Sequence, residues 1–192
     1  LSASSSTGGY LQAAVNNAPL DDDDLVNFFQ EWVVGLSGID GSKVRPRWQP
    51  EATNIPDQNV NWLALGITIS SADTYVAEVH NNAGAGYNEM RRHETLTVKT
   101  SFYGPKCSGT ARRFRDAMQI AQNREVLSLN SMGLIESGDI VAAPELVKEK
   151  WYLRADLEFT IRRQVVRTYP ISSLTGLQIT LNNEHYSTQI VK

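Results

Sequence analysis

The chain has 192 residues, 41% of them hydrophobic and 20% charged, which suits one globular domain with a sizeable core. A net charge of −3 excludes a general affinity for nucleic acid, although charge grouped on one face of an assembly would not show in the total. The lone Cys107 excludes an internal disulfide and a cysteine zinc site and favours a reducing cytosol, while the longest apolar run, residues 62–69, falls far short of the roughly 20 residues a membrane-spanning helix needs.

Leu1 leads into SASSSTGGY without the basic and apolar regions of a signal peptide, and reads as a start left by processing or as the edge of the resolved chain. Residues 1–20 are small and polar and carry too little apolar surface to fold alone, so they read as an N-terminal arm ordered by a neighbour. Asp21, Asp22, Asp23 and Asp24 then precede Leu25, Phe28, Phe29, Trp32, Val33 and Leu36, whose spacings of three and four make one apolar helical stripe. Carboxylates at this start cap free N–H groups and oppose the helix dipole, and Gly38 sits where the helix should stop. A calcium or basic-partner site is the alternative use of the four acids.

VRPRWQP, residues 44–50, predicts an extended segment, because each proline biases the residue before it away from helix. Residues 62–70 alternate, with Leu63, Leu65, Ile67 and Ile69 on one face, and a partner core strand is expected over residues 74–80. The NNAGAG connection (81–86) is no phosphate loop, since no helix with a GK[ST] follows it. A third strand over residues 93–103 points Leu96, Val98 and Phe102 inward and ends at Gly104-Pro105. Ser108 can cap a helix over residues 109–121 with Ala111, Phe114, Ala117, Met118 and Ala121 on its buried stripe, and a short turn over 124–129 follows.

After a strand over residues 132–141, residues 150–169 predict one long strand returning antiparallel to it. Trp151, Leu153, Ala155, Leu157, Phe159 and Ile161 point one way; Tyr152, Arg154, Asp156, Glu158, Thr160 and Arg162 point the other. Arg163 then falls in phase with the apolar face, which predicts a bulge there or the point where the strand leaves the core. The tail alternates at Leu177, Ile179 and Leu181, turns at Asn182-Asn183 and ends in Ile190-Val191, as an edge hairpin or an arm. The expected organisation is an arm over 1–20, a single domain over 21–171 and a C-terminal hairpin or arm over 172–192.

Candidate chemistry is sparse. Asp156 and Glu158 lie two apart on the polar strand face, about 7 Å from each other, a spacing a magnesium ion can bridge in a metal-dependent nuclease. Arg154 and Arg162 share that face and would neutralise them. His80, His93 and His185 are scattered without zinc-site spacing, and Cys107 has no evident catalytic partner. Arg112, Arg113 and Arg115, with Arg162, Arg163 and Arg167, suit either a basic DNA surface or, preferably, intersubunit ion pairs. Trp48, between Arg47 and Gln49, is either an anchor for a partner or a cap on the domain's own core.

Six stretches in order, STGGYL (6–11), VRPRWQP (44–50), NWLALGIT (61–68), RRHETLTVKTSFYGP (91–105), FRDAMQIAQNRE (114–125) and RRQVVRTYP (162–170), together resemble the phage neck terminator proteins, tail-terminator-like components of the head–tail junction. Leu63 stands where many relatives carry a cysteine, so no role for that thiol carries over, and Ala117 replaces an expected glycine with a better helix former. The resemblance implies a tail-terminator-like α+β fold: a mainly antiparallel sheet with two principal amphipathic helices on one face and extended N- and C-terminal arms. It further implies no enzyme and no cofactor, but a structural virion protein of the neck assembled in the host cytoplasm. That protein is a ring, usually a hexamer, that caps the tail tube, ends tail polymerisation and joins the tail to the head connector. A stopper ring on the connector is the nearest alternative. Expected partners are further copies of the chain, the tail tube protein, the connector or stopper protein and a tail sheath where one exists. DNA is only passing cargo, and a lumen it slides through is expected to be acidic or mixed. Candidate assembly residues are Arg45, Arg47, Trp48, Arg154, Arg162, Arg163 and Arg167, with contacts also expected from both arms.

Overall fold

In a computed structural model describing residues 8–15, 18–49, 54–147, 149–172, 179–183 and 186–190, the chain is mixed α+β with mainly antiparallel sheet. In chain order the elements are α1 (Asp22–Ser37), a 3-10 turn (Gly41–Lys43), β1 (Val44–Pro46), β2 (Trp62–Ala72), β3 (Ala77–Asn81), β4 (Tyr87–Tyr103), α2 (Cys107–Ala117) and α3 (Ala121–Leu129). Then come β5 (Met132–Ala142), β6 (Glu145–Val147), β7 (Lys150–Tyr152), β8 (Arg154–Tyr169), β9 (Ile179–Asn183) and β10 (Tyr186–Ile190). They fall into two compact units, Pro19–Val76 with Arg92–Val165, and Leu1–Ala18 with Ala77–Arg91 and Val166–Lys192.

In the larger unit the strands run in the order β1-β2-β4-β8-β5; β1 is parallel to β2, while β2 is antiparallel to β4 and β5 to β8. Alternation decides which side chains meet the helices. Leu63 and Leu65 of β2, Leu96, Val98 and Phe102 of β4, and Ala155, Leu157, Phe159 and Ile161 of β8 all join one core with Phe29, Trp32 and Val33 of α1, Phe114 of α2 and Leu127 of α3. Phe159 is its centre. Its ring meets Phe29, Trp32 and Phe114 edge-on at 6.3, 5.7 and 5.9 Å, the arrangement that the aromatic quadrupole favours.

The stripe of α1 is buried as its spacing predicts, and Gly38 stops the helix in the left-handed conformation (φ 68°), its N–H donating to the Val34 carbonyl. The acidic start differs from expectation. Asp21, at the N-cap, makes no side-chain bond to the helix and accepts instead from Arg163 Nη2 at 2.9 Å, while Asp22, Asp23 and Asp24 occupy the first turn, where the dipole favours negative charge.

No bulge occurs at Arg163, and β8 does not leave the core there: Arg163, Arg162 and Ile161 pair evenly with Met132, Gly133 and Leu134, and Val165 beyond them is buried. The inward guanidinium is accommodated because it is paired. It donates to Glu94 (2.9 Å), to Asp21 and to the Leu20 carbonyl. The irregularities lie in β5 instead, between Leu134 and Glu136 and between Ser137 and Ile140, which keeps Leu134 and Ile140 packed on the core.

Other expectations are corrected. Thr68 is an extra residue between the Ile67–Val98 and Ile69–Thr97 pairs, and this reversal of phase leaves Ile69 exposed. β3 is no core strand, for it is largely exposed and pairs with β4 rather than β2. The long strand is interrupted at Leu153: residues 150–152 form β7, paired with β6, so that Trp151 and Leu153 are exposed. Ser108 does not cap α2, which starts at Cys107, and Ala121 is an exposed residue opening α3.

In the smaller unit β3 pairs antiparallel with the start of β4, Ala14 N–H donates to the Thr168 carbonyl at 2.8 Å, and β9 and β10 form an antiparallel hairpin. Asn182 and Asn183 are not a turn: they belong to β9 and pair with Ser187 and Tyr186. His185, Leu177 and Val191 lie outside the described residues.

Arg163→Ala leaves Glu94 without its buried cation, and is expected to destabilise the chain by about 3–5 kcal/mol in urea unfolding. Adding Glu94→Gln should recover part of that loss; equal stabilities of single and double variants would show that the ion pair is not the cause.

Candidate functional site

The face of the sheet opposite the helices carries the carboxylate pair and the candidate assembly residues of the larger unit apart from Arg163, while Arg112, Arg113 and Arg115 lie on α2. Trp62 and Tyr103, a cross-strand pair, stack at 4.0 Å and 4°. The Arg45 guanidinium lies over the Trp62 ring and that of Arg154 over the Tyr103 ring, each at 5.8 Å from the centroid. Arg45 also donates to the Asn54 carbonyl, and Arg47 to Ser101 Oγ at 2.8 Å. Trp48 covers Gly66, where a Cβ would come within 2.6 Å of the indole, yet stays 63% exposed. It is thus both a cover on this domain and an available anchor.

Asp156 and Glu158 do share a face, but Lys99 Nζ lies between them, 3.5 Å from Asp156 and 3.1 Å from Glu158. Arg154 grips Asp156 with two hydrogen bonds of 2.6 Å and also pairs with Glu145. Burial pushes the Asp156 carboxyl up, but the hydrogen bonds from Arg154 and Ser101, with the charges of Arg154 and Lys99, outweigh it and hold the group below the usual carboxylate range. The same Asp156 contact raises the Arg154 guanidinium. Arg154 and Lys99 thus take up both oxygens of Asp156 and Lys99 takes up one of Glu158, and among the described residues no group of three His, Cys, Asp or Glu is arranged to hold a metal.

Of the remaining candidates, Arg162 pairs with Asp73 at 2.6 Å on the surface, Arg163 is committed to its buried partners, and Arg167 is half-buried in the smaller unit. Lys99, Ser101 and Glu145 were missed as members of the polar network. The signal for two of them was present, since Lys99 and Ser101 alternate with inward Val98, Thr100 and Phe102 and so belong on the outward face.

A helix-backed sheet that pairs Asp156 and Glu158 with its own Lys99 and Arg154, with Trp48 and Trp151 exposed, defines an α+β scaffold. The sequence matches the phage neck terminator proteins over residues 23–185, and the chain belongs to that family. It is therefore a structural component of the bacteriophage neck. Comparison with curated proteins gives no match. No helix among the described residues is long and apolar enough to cross a membrane.

Because the folded Asp156 carboxyl is held below its unfolded value of about 4, its stabilisation is complete above that pH and is lost as pH falls through the lower folded value. Asp156→Asn is expected to lower stability at pH 7 by about 1–3 kcal/mol and to flatten the acid limb below about pH 4. Urea titrations across this range test it; an unchanged acid limb would assign the pH dependence elsewhere.

Proposed function

We propose that this chain is the ring-forming terminator of the neck: a hexamer that caps the tail tube, ends tail polymerisation and joins the tail to the head connector, with DNA passing through the lumen. The family match carries this reading. Surface a free monomer does not need supports it. Trp48 and Trp151 are 63% and 61% exposed, and Leu146, directly across from Trp151 in the β6–β7 ribbon, is exposed together with Leu153. Arg45 and Arg47 are anchored on either side of Pro46, just before Trp48, which presents that indole from a fixed base. Tyr10 and Val15, almost fully exposed, give the N-terminal arm apolar side chains to place against a neighbouring copy. In this reading the tube protein and connector meet the ring on different faces, and Arg163 serves the fold rather than the interface.

Sedimentation of the purified chain is expected to show a hexamer, weakened about 30-fold or more by Trp48→Ala and by Trp151→Ala; unchanged assembly in both variants would remove the tryptophans from the interface. An amber mutant decides the position in the neck: filled heads with abnormally long or unjoined tails are expected, whereas normal-length tails with leaking heads would make the protein a stopper.

A further inference from the structure

Two opposite charge sets on the larger unit have no ion-pair partner in the chain among the described residues. Asp22, Asp23 and Asp24 are exposed in the first turn of α1, and Arg112, Arg113 and Arg115 project from the outer side of α2. They stand at different levels of the sheet. The acids follow Asp21, which is bound to Arg163, whereas Arg112 and Arg115 line an open depression with Ile140 and Ala142, the partners of Leu157 and Ala155. From position 163 to positions 155–157 is about 20–26 Å along β8, more than two Debye lengths at physiological salt. Neither set can neutralise the other within one copy. Asp139 shares the depression and Asp116 lies on α2, neither forming an ion pair with the arginines.

A ring of identical copies is closed by head-to-tail contacts, each requiring two different and complementary patches on the same chain. We propose that the arginine face of α2 in one copy docks on the acidic first turn of α1 in the next, three cations against three anions. This rests on the ring reading above. Duplex DNA is the other polyanion the arginines could meet, but it would leave the acids unused, and a strongly held DNA would not slide.

The test compares the wild-type chain with Arg112→Glu/Arg113→Glu/Arg115→Glu, with Asp22→Lys/Asp23→Lys/Asp24→Lys, and with both sets combined, by sedimentation at low and high salt. Each reversed set is expected to raise the concentration needed for assembly about tenfold or more, the combined chain to recover most of it, and salt to weaken the wild type. Because lysines at a helix start oppose the dipole, neutral Asn and Gln versions of the two sets are run beside them with thermal melts. The Gln set should melt like the wild type and the Asn set a few degrees lower, roughly the dipole interaction it loses, with both still folded and both assembling less well. If the wild type forms rings and the well-folded neutral variants form them equally, the docking is overturned and the ring stands; a wild type that stays monomeric overturns both. Loss of duplex-DNA retardation in the arginine variant with assembly unchanged would make the face a DNA contact instead.

Discussion

The inward cation at Arg163 constrains more of this structure than any other single group. A guanidinium on the core side of a sheet cannot remain unpaired, so Glu94 of β4 and Asp21 ahead of α1 are both drawn to it, and the Leu20 carbonyl accepts a further bond. One side chain therefore ties the start of the first helix to two central strands. Asp21 is taken from its expected capping role by this demand, which leaves the next three acids to answer the helix dipole. Four residues earlier in β8 the inward position is Phe159, where both principal helices meet the sheet through edge-on aromatic contacts. Charge anchors one end of α1 and aromatic packing its middle.

The two faces of the sheet solve different problems with the same period of two. Thr100 is the polar exception among the buried residues on the inward face of β4, and it donates to the Leu157 carbonyl at 2.8 Å rather than face the core unpaired. Outward, Arg47, Ser101, Asp156 and Arg154 form a chain of hydrogen bonds reaching from the segment after β1 across β4 to β8. Shared partners make such a network stiffer than isolated surface pairs, each of which contributes little. It holds the segment preceding Trp48 against the sheet, so the exposed indole is presented with little freedom to lose on binding.

Much of this was legible in the sequence, and the failures have physical causes. The stripe of α1 and the inner face of β8 follow local periods of about 3.6 and 2, so spacing alone placed them. The partners of Arg163 are 142 and 69 residues away in sequence, and no local pattern encodes a contact of that kind. Ile69 was misplaced because one inserted residue reverses every later side chain, and a bulge leaves the apolar pattern unchanged. β3 alternates like a core strand but is covered by nothing among the described residues of its unit, since alternation reports pairing and not burial. The carboxylate pair was correctly placed on one face; what spacing could not show was that Lys99, from the neighbouring strand, sits between them.

That last point bears on how a sheet of this kind is used. Two carboxylates on one strand face become a metal site only if their surroundings leave them uncompensated, and here β4 supplies a lysine shared by both and β8 an arginine that grips Asp156. Charge that is consumed internally stabilises the fold but is lost to recognition. The tryptophans and leucine of the sheet margins, and the acids and arginines of the helices, are not consumed in this way. In this neck component the pairing of Asp156 and Glu158 with Lys99 and Arg154, beside helix charges that form no ion pair among the described residues and an exposed tryptophan on the ribbon, places stability and recognition on different residues of one chain.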